Sequence, residues 1–129
     1  MKTILVDALN TLIIKDFGVF QEMHSLLEEY SNKKIIVTNA DDKQIVDFGL
    51  DKAPYELFTM NHEPEKTNPE YFELLMKQHN LKAEDLVYFE HNQDAVASAK
   101  SLGINSFYYN PDKKDLDALK IFLDSSINT

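Results

Sequence analysis

The chain has 129 residues, with 22 Asp and Glu against 13 Lys and Arg for a net charge of −9, and 43% of it is apolar. That acidity argues against nucleic acid and against an anionic membrane surface as partners, since both are held by Lys and Arg that neutralise phosphates. The lack of cysteine excludes disulfides, a thiolate nucleophile and Cys-ligated zinc, and no segment approaches the ~20 apolar residues of a membrane span.

The opening run, MKTILVDALNTLIIKDF, is interrupted by Asp7 and Asn10 and has no small-residue cleavage site. It is therefore not read as a signal peptide, and a cytoplasmic location is the expectation. The length fits one domain, 1–129, with a core of its own.

Short apolar runs alternate with amphipathic stretches along the chain. TILVD (3–7) reads as a buried strand. The stretch FGVFQEMHSLLEEYSN holds a helix, with Phe20, Met23, Leu27 and Tyr30 at helical spacing. KKIIVTN (33–39) is a second strand, and ADDKQIVDFGL gives a short helix with acids in its first turn and Gly49 near its end. YELFTM (55–60) is a third strand. In TNPEYFELLMKQHN, Thr67 and Glu70 have the spacing of a capping box, with Pro69 in the first turn. DLVYFE (85–90) and INSFYY (104–109) are strands, separated by a helix over NQDAVASAKSLG, and DKKDLDALKIFLD is the last helix. The alternation predicts an α/β fold: a Rossmann-like, three-layer domain whose parallel sheet of about five strands carries helices on both faces. Ligands of such sheets bind beyond the C-terminal strand ends.

Those strand ends carry the polar residues. The first strand ends in Asp7, the second in Thr38-Asn39, and the fourth in Glu90 with Asp94 one helical turn later. Lys66 stands just before the helix that follows Thr67. Singly, each has an ordinary explanation as a cap, a turn former or a solvated charge. Together, in this order, they form a set suited to phosphoryl transfer. A carboxylate can attack phosphorus and form an aspartyl phosphate. The transition state is stabilised mostly by positioning and charge, which a Lys, a hydroxyl, helix-start N–H groups and a carboxylate-bound Mg²⁺ can supply.

In these residues the chain resembles the haloacid dehalogenase (HAD) superfamily, most of whose members are phosphatases and phosphotransferases. Asp7-Ala8-Leu9-Asn10-Thr11 is similar to the family's Asp-x-Asp-x-Thr, and IIVTN to its strand ending in Ser or Thr. KTNPEYF, with Lys66 and Pro69, resembles its Lys before a helix, and FEHNQDAVASAKSLGI its acidic pair, here Glu90 and Asp94. The resemblance implies that Asp7 is the nucleophile and that Thr38, Asn39 and Lys66 bind phosphate. It implies Mg²⁺ held by Asp7, the backbone carbonyl of Leu9 and Glu90, with Asp94 in support. Residues 8–37 and 39–65, where the family inserts cap domains, are too few for one. The expectation is a member without a cap, whose open site suits a phosphorylated small molecule or macromolecule, with a protein partner as a further expectation.

The sequence departs from the pattern at three places. Leu9 stands where the family's phosphatases carry the general acid/base Asp. Asn10 replaces the usual Gly, and Glu90 replaces Asp at the metal. Without an acid, alkyl phosphates lose most, and aryl and acyl phosphates less. The longer Glu90 predicts weak Mg²⁺ binding, because that ion demands near-ideal octahedral geometry. Two readings follow: an impaired HAD-type hydrolase, or a catalytically inactive binding or regulatory module. A phospho-accepting receiver-like domain is less favoured, because it carries its Asp on the third strand. A dinucleotide fold lacks its glycine run. His91 is read as a loop histidine in preference to a substitute acid, and His24, His62 and His79 show no ligand spacing.

Overall fold

The computed structural model describes residues 1–127. Strand β1 (Thr3–Asp7) is buried along its whole length, which is why it reads as a continuous apolar run: layers cover both faces of the sheet. It is followed by a small antiparallel hairpin, β2 (Ile13–Ile14) with β3 (Gly18–Val19), and by α1 (Gln21–Leu27). Next come β4 (Lys34–Val37), α2 (Asp42–Asp47) and β5 (Glu56–Phe58), then α3 (Glu70–His79) and β6 (Leu86–Glu90). The chain ends with α4 (Gln93–Lys100), β7 (Asn105–Tyr108) and α5 (Leu116–Ile127).

The main sheet has five parallel strands in the order β5-β4-β1-β6-β7. From β1 the chain steps outward through β4 to β5, then returns to the other side of β1 for β6 and β7. Strand order therefore reverses between β1 and β6, and the crevice at such a reversal is where open α/β sheets bind ligands. One face carries Ile4, Val6, Val87 and Phe89, packed with Met23 and Leu27 of α1 and Leu119 and Leu123 of α5. The other carries Leu5, Ile35, Val37 and Tyr88, packed with Tyr71, Phe72 and Leu75 of α3 and Ala99 of α4. This is the expected α/β architecture, with helices on both faces. Among the described residues no helix is long and apolar enough to cross a membrane.

Three local features differ from the sequence reading. The hairpin was not anticipated, because two-residue strands leave no periodic signal. Helix α1 ends at Leu27, and Tyr30, beyond it, reaches the core from a loop. The cap of α3 is not a Thr67–Glu70 box. The cap position is Pro69, which makes no side-chain cap bond and whose missing N–H needs no partner, and the side chain of Asn68 just before it accepts from the Glu70 N–H at 3.0 Å. Gly49 does follow α2 in the left-handed conformation, with φ of 73°, where a residue without Cβ is least strained.

Candidate active site

Strand register explains why Asp7 and Glu90 meet. Val6 pairs with Phe89 across β1 and β6, and Leu5 with Tyr88. One step further, Asp7 and Glu90 end neighbouring strands on the α3–α4 face, because side chains alternate with period two. The residue between these carboxylates is Lys66. Its ammonium donates to Asp7 Oδ1 at 2.8 Å and to Glu90 Oε1 at 2.7 Å. All three residues are buried. Lys66 is delivered by the segment before α3, and its backbone N–H donates to Asn39 Oδ1 at 2.7 Å. Asn39 thus fixes the loop that carries the lysine.

The remaining oxygens are also engaged. Thr11 donates its hydroxyl to Asp7 Oδ2 at 2.6 Å. The His91 backbone N–H reaches the same oxygen at 3.1 Å, and the His91 ring meets it through Nδ1. Asn92 N–H donates to Glu90 Oε2 at 3.1 Å, and the Tyr88 hydroxyl donates to Oε1. A one-turn loop after Asp7 holds these groups in place: Thr11 N–H donates to the Ala8 carbonyl and Leu12 N–H to that of Asp7. The loop passes through Asn10 at φ of 66°, a conformation that Asn tolerates better than most residues. Thr38 is held by Tyr71, whose hydroxyl accepts from the Thr38 N–H at 3.0 Å, while the Thr38 hydroxyl accepts from Ala40 N–H at 3.2 Å.

Above this cluster lies a cavity of about 270 Å³. Asp7, Leu9, Thr38, Asn39, Lys66, Glu90 and His91 line it, with Gln44, Phe48 and His62 on its rim. Burial opposes the charge on Asp7, but Lys66 beside it, aided by His91, holds its carboxyl well below the usual range. Burial, followed by the charge of Asp7, pushes Glu90 up to about 7. Lys66 is buried too, yet the two carboxylates more than offset that and keep it firmly ionised. The hydrogen bond to Asp7 raises the His91 imidazole above its ordinary value.

No protein-family model matches the sequence, and no curated protein matches it. Solved structures match it in shape. A protein of uncharacterised function from Corynebacterium glutamicum aligns at a TM-score of 0.63 and 14% identity, over 95% of both chains. The core domain of a Streptococcus pneumoniae protein named as a phosphoglycolate phosphatase aligns at 0.59 and 18% identity, over 95% of this chain and 96% of its own. A HAD-family enzyme from Bacteroides thetaiotaomicron, in complex with magnesium and inorganic phosphate, aligns at 0.53 and 15% identity over 70% of this chain. The chain has the haloacid dehalogenase-like fold. It spans 53% of the Bacteroides enzyme and 56% of a HAD-superfamily hydrolase from Geobacter sulfurreducens.

In this HAD-like fold most of the residues singled out from the sequence converge. Asp7, Lys66 and Glu90 are in direct contact, and Thr38, Asn39 and Leu9 line the same cavity. Asp94 does not join them. It is exposed in the first turn of α4, where its charge complements the helix dipole, and the side chain that caps the helix is Asn92. The Leu9 side chain lines the cavity and packs against the core beside it, and, being aliphatic, it has no proton to give or take.

His91 is the residue the sequence reading set aside. Its side chain is only 26% exposed, and it lies on Asp7 instead of in solvent. Tyr71 and Tyr88 were also missed, since buried tyrosines in apolar runs read as core. The only usable signal was the adjacency of His91 to Glu90.

The Mg²⁺ that the resemblance implies does not fit these residues as they stand. The ion needs oxygen ligands at about 2.0–2.1 Å in an octahedron. The outer oxygens it would take, Asp7 Oδ2 and Glu90 Oε2, both face His91 Nδ1, which hydrogen-bonds the first and lies 3.3 Å from the second.

Proposed function

We propose that the chain is a HAD-type hydrolase of reactive phosphoryl compounds, slow in turnover, with Asp7 as the nucleophile. The observation that carries this reading is the position of Asp7: it is at the sheet switch point, lines the cavity and is oriented by Lys66, which donates to its Oδ1 at 2.8 Å. Lys66 and the Thr38 hydroxyl would hold the phosphoryl oxygens, and Asn39 would position the lysine. A carboxylate oxygen of Asp7 attacks phosphorus, and the bond from phosphorus to the leaving oxygen breaks, with the electron pair leaving on that oxygen. Leu9 gives that oxygen no proton, so the reaction favours leaving groups that are stable as anions, the carboxylates of acyl phosphates and the phenolates of aryl phosphates. Water then attacks the aspartyl phosphate, releasing inorganic phosphate and restoring Asp7. That step lacks a base at position 9 and is slow.

The magnesium bound by the Bacteroides enzyme is not carried over, because in this chain His91 Nδ1 lies against Asp7 Oδ2 and 3.3 Å from Glu90 Oε2. Between Asp7 and Thr38 the chain forms only the hairpin and α1, and between Thr38 and Lys66 only α2, a 3-10 turn and β5. This supports a site without a cap domain, open enough for a phosphorylated group on a large molecule.

One observation favours a second reading, a binding module without turnover: every carboxylate oxygen of Asp7 and Glu90 already has a partner in the protein. Phosphate release separates the two. Acyl, aryl and alkyl phosphates are assayed with the wild type and with Asp7→Asn. Release from the acyl and aryl compounds that disappears in Asp7→Asn supports the hydrolase. No release above that variant on any compound overturns it in favour of the module.

A further inference from the structure

We infer that His91 occupies the cation position of this site, so that the protein binds no divalent metal there and the imidazole stands in its place. The two carboxylates are spanned by two nitrogens. Lys66 Nζ bridges the inner oxygens, Asp7 Oδ1 and Glu90 Oε1. His91 Nδ1 sits between the outer pair, hydrogen-bonded to Asp7 Oδ2 and 3.3 Å from Glu90 Oε2. It also lies 3.5 Å from Thr11 Oγ1.

An ion bridging the outer oxygens would need the volume the ring nitrogen already fills. With a proton on Nδ1 the ring donates to Asp7 in its neutral and charged forms alike, so the exclusion is steric and does not depend on titration. The backbone makes displacement harder still. The His91 N–H is itself bonded to Asp7 Oδ2, and the next N–H, of Asn92, is bonded to Glu90 Oε2. The backbone that carries the ring is therefore held against the oxygen the ring covers. Among the described residues, Asp7, Glu90 and His91 are the one group of acids and histidines close enough to surround an ion, yet the nitrogen and the Asp7 oxygen touch each other directly instead of facing a common centre.

The inference concerns the same cavity as the proposed hydrolysis but does not depend on turnover. Its test reads metal binding, so either claim can fail alone. Isothermal calorimetry with Mg²⁺ is run on the full chain as wild type and as His91→Ser. Removing the ring frees the outer oxygens, and the variant is expected to show a Mg²⁺ site that the wild type lacks, a gain of at least about 10- to 100-fold in affinity, the equivalent of one hydrogen bond to a charged group. Equal binding by both proteins, or none by either, overturns the inference.

A second measurement needs no variant. In the wild type, a Mn²⁺ titration followed by NMR is expected to leave the His91 imidazole resonances no more broadened than those of His24 and His79. Selective broadening of His91 would place an ion beside Asp7 and overturn the inference.

Discussion

Lys66 is the residue on which the site depends. It is buried between two carboxylates that would otherwise repel each other inside the protein. Removing one member of such a group leaves uncompensated buried charge. Lys66→Met, similar in length but uncharged, is expected to cost about 3–5 kcal/mol in urea unfolding. A cost below about 1 kcal/mol would show that the carboxylates do not share a buried charge. Leu9 makes the complementary case, a residue whose chemistry is missing. It lines the cavity, so Leu9→Asp is expected to raise turnover of alkyl phosphates by about 10²- to 10⁴-fold relative to aryl phosphates, at some loss of stability from its partly apolar surroundings. An unchanged alkyl-to-aryl ratio would contradict the role given to this position. Asp7, Lys66 and Glu90 were legible in the sequence because strand ends and helix starts advertise themselves through periodicity. His91 was not, because a loop histidine carries no period, and only the strand register that aligns Val6 with Phe89 brings it over Asp7.

At the level of elements, the central strands were legible as short continuous apolar runs, because both faces of the sheet are covered, and helices such as α3 and α5 because each buries a stripe that repeats with period 3.6. The hairpin of Ile13–Ile14 and Gly18–Val19 was not, since its pairing depends on a loop through Asp16 and Gly18 at positive φ. The start of α3 shows how two similar signals compete. Thr67 had the capping-box spacing, but Asn68 makes the bond to Glu70 N–H. Asn68→Ala is therefore expected to cost about 1 kcal/mol, while Thr67→Ala, at an exposed position, should stay within about 0.5 kcal/mol. Denaturant midpoints of the two variants decide it, and the reverse ranking would restore the box. The cap matters to the site because this helix follows directly on the segment that brings Lys66 to Asp7.

For the whole molecule the same cluster sets a pH dependence. The folded state raises Glu90 from 4.5 to about 7 and His91 from 6.5 upward. Both therefore bind protons more tightly when folded. Their contributions to stability are complete below the unfolded values and are lost as pH rises through the folded ones. Asp7, lowered on folding, acts in the opposite sense: its contribution is complete above the unfolded value and is lost only in acid. Tm is thus expected to fall between about pH 5 and pH 8. Growing negative charge acts in the same direction in a chain already at −9, so the diagnostic is that Glu90→Gln flattens the slope. An unaltered slope in that variant would assign the trend to net charge alone. The central claim is that Asp7, at the reversal of the sheet, is a working nucleophile without its acid. Its most direct test is intact-mass spectrometry after incubation with an acyl phosphate, with and without Mg²⁺. A phosphoryl adduct that accumulates on the wild type, and is absent from Asp7→Asn, is the predicted result. No adduct and no phosphate release in either condition, or an adduct undiminished in Asp7→Asn, would contradict it.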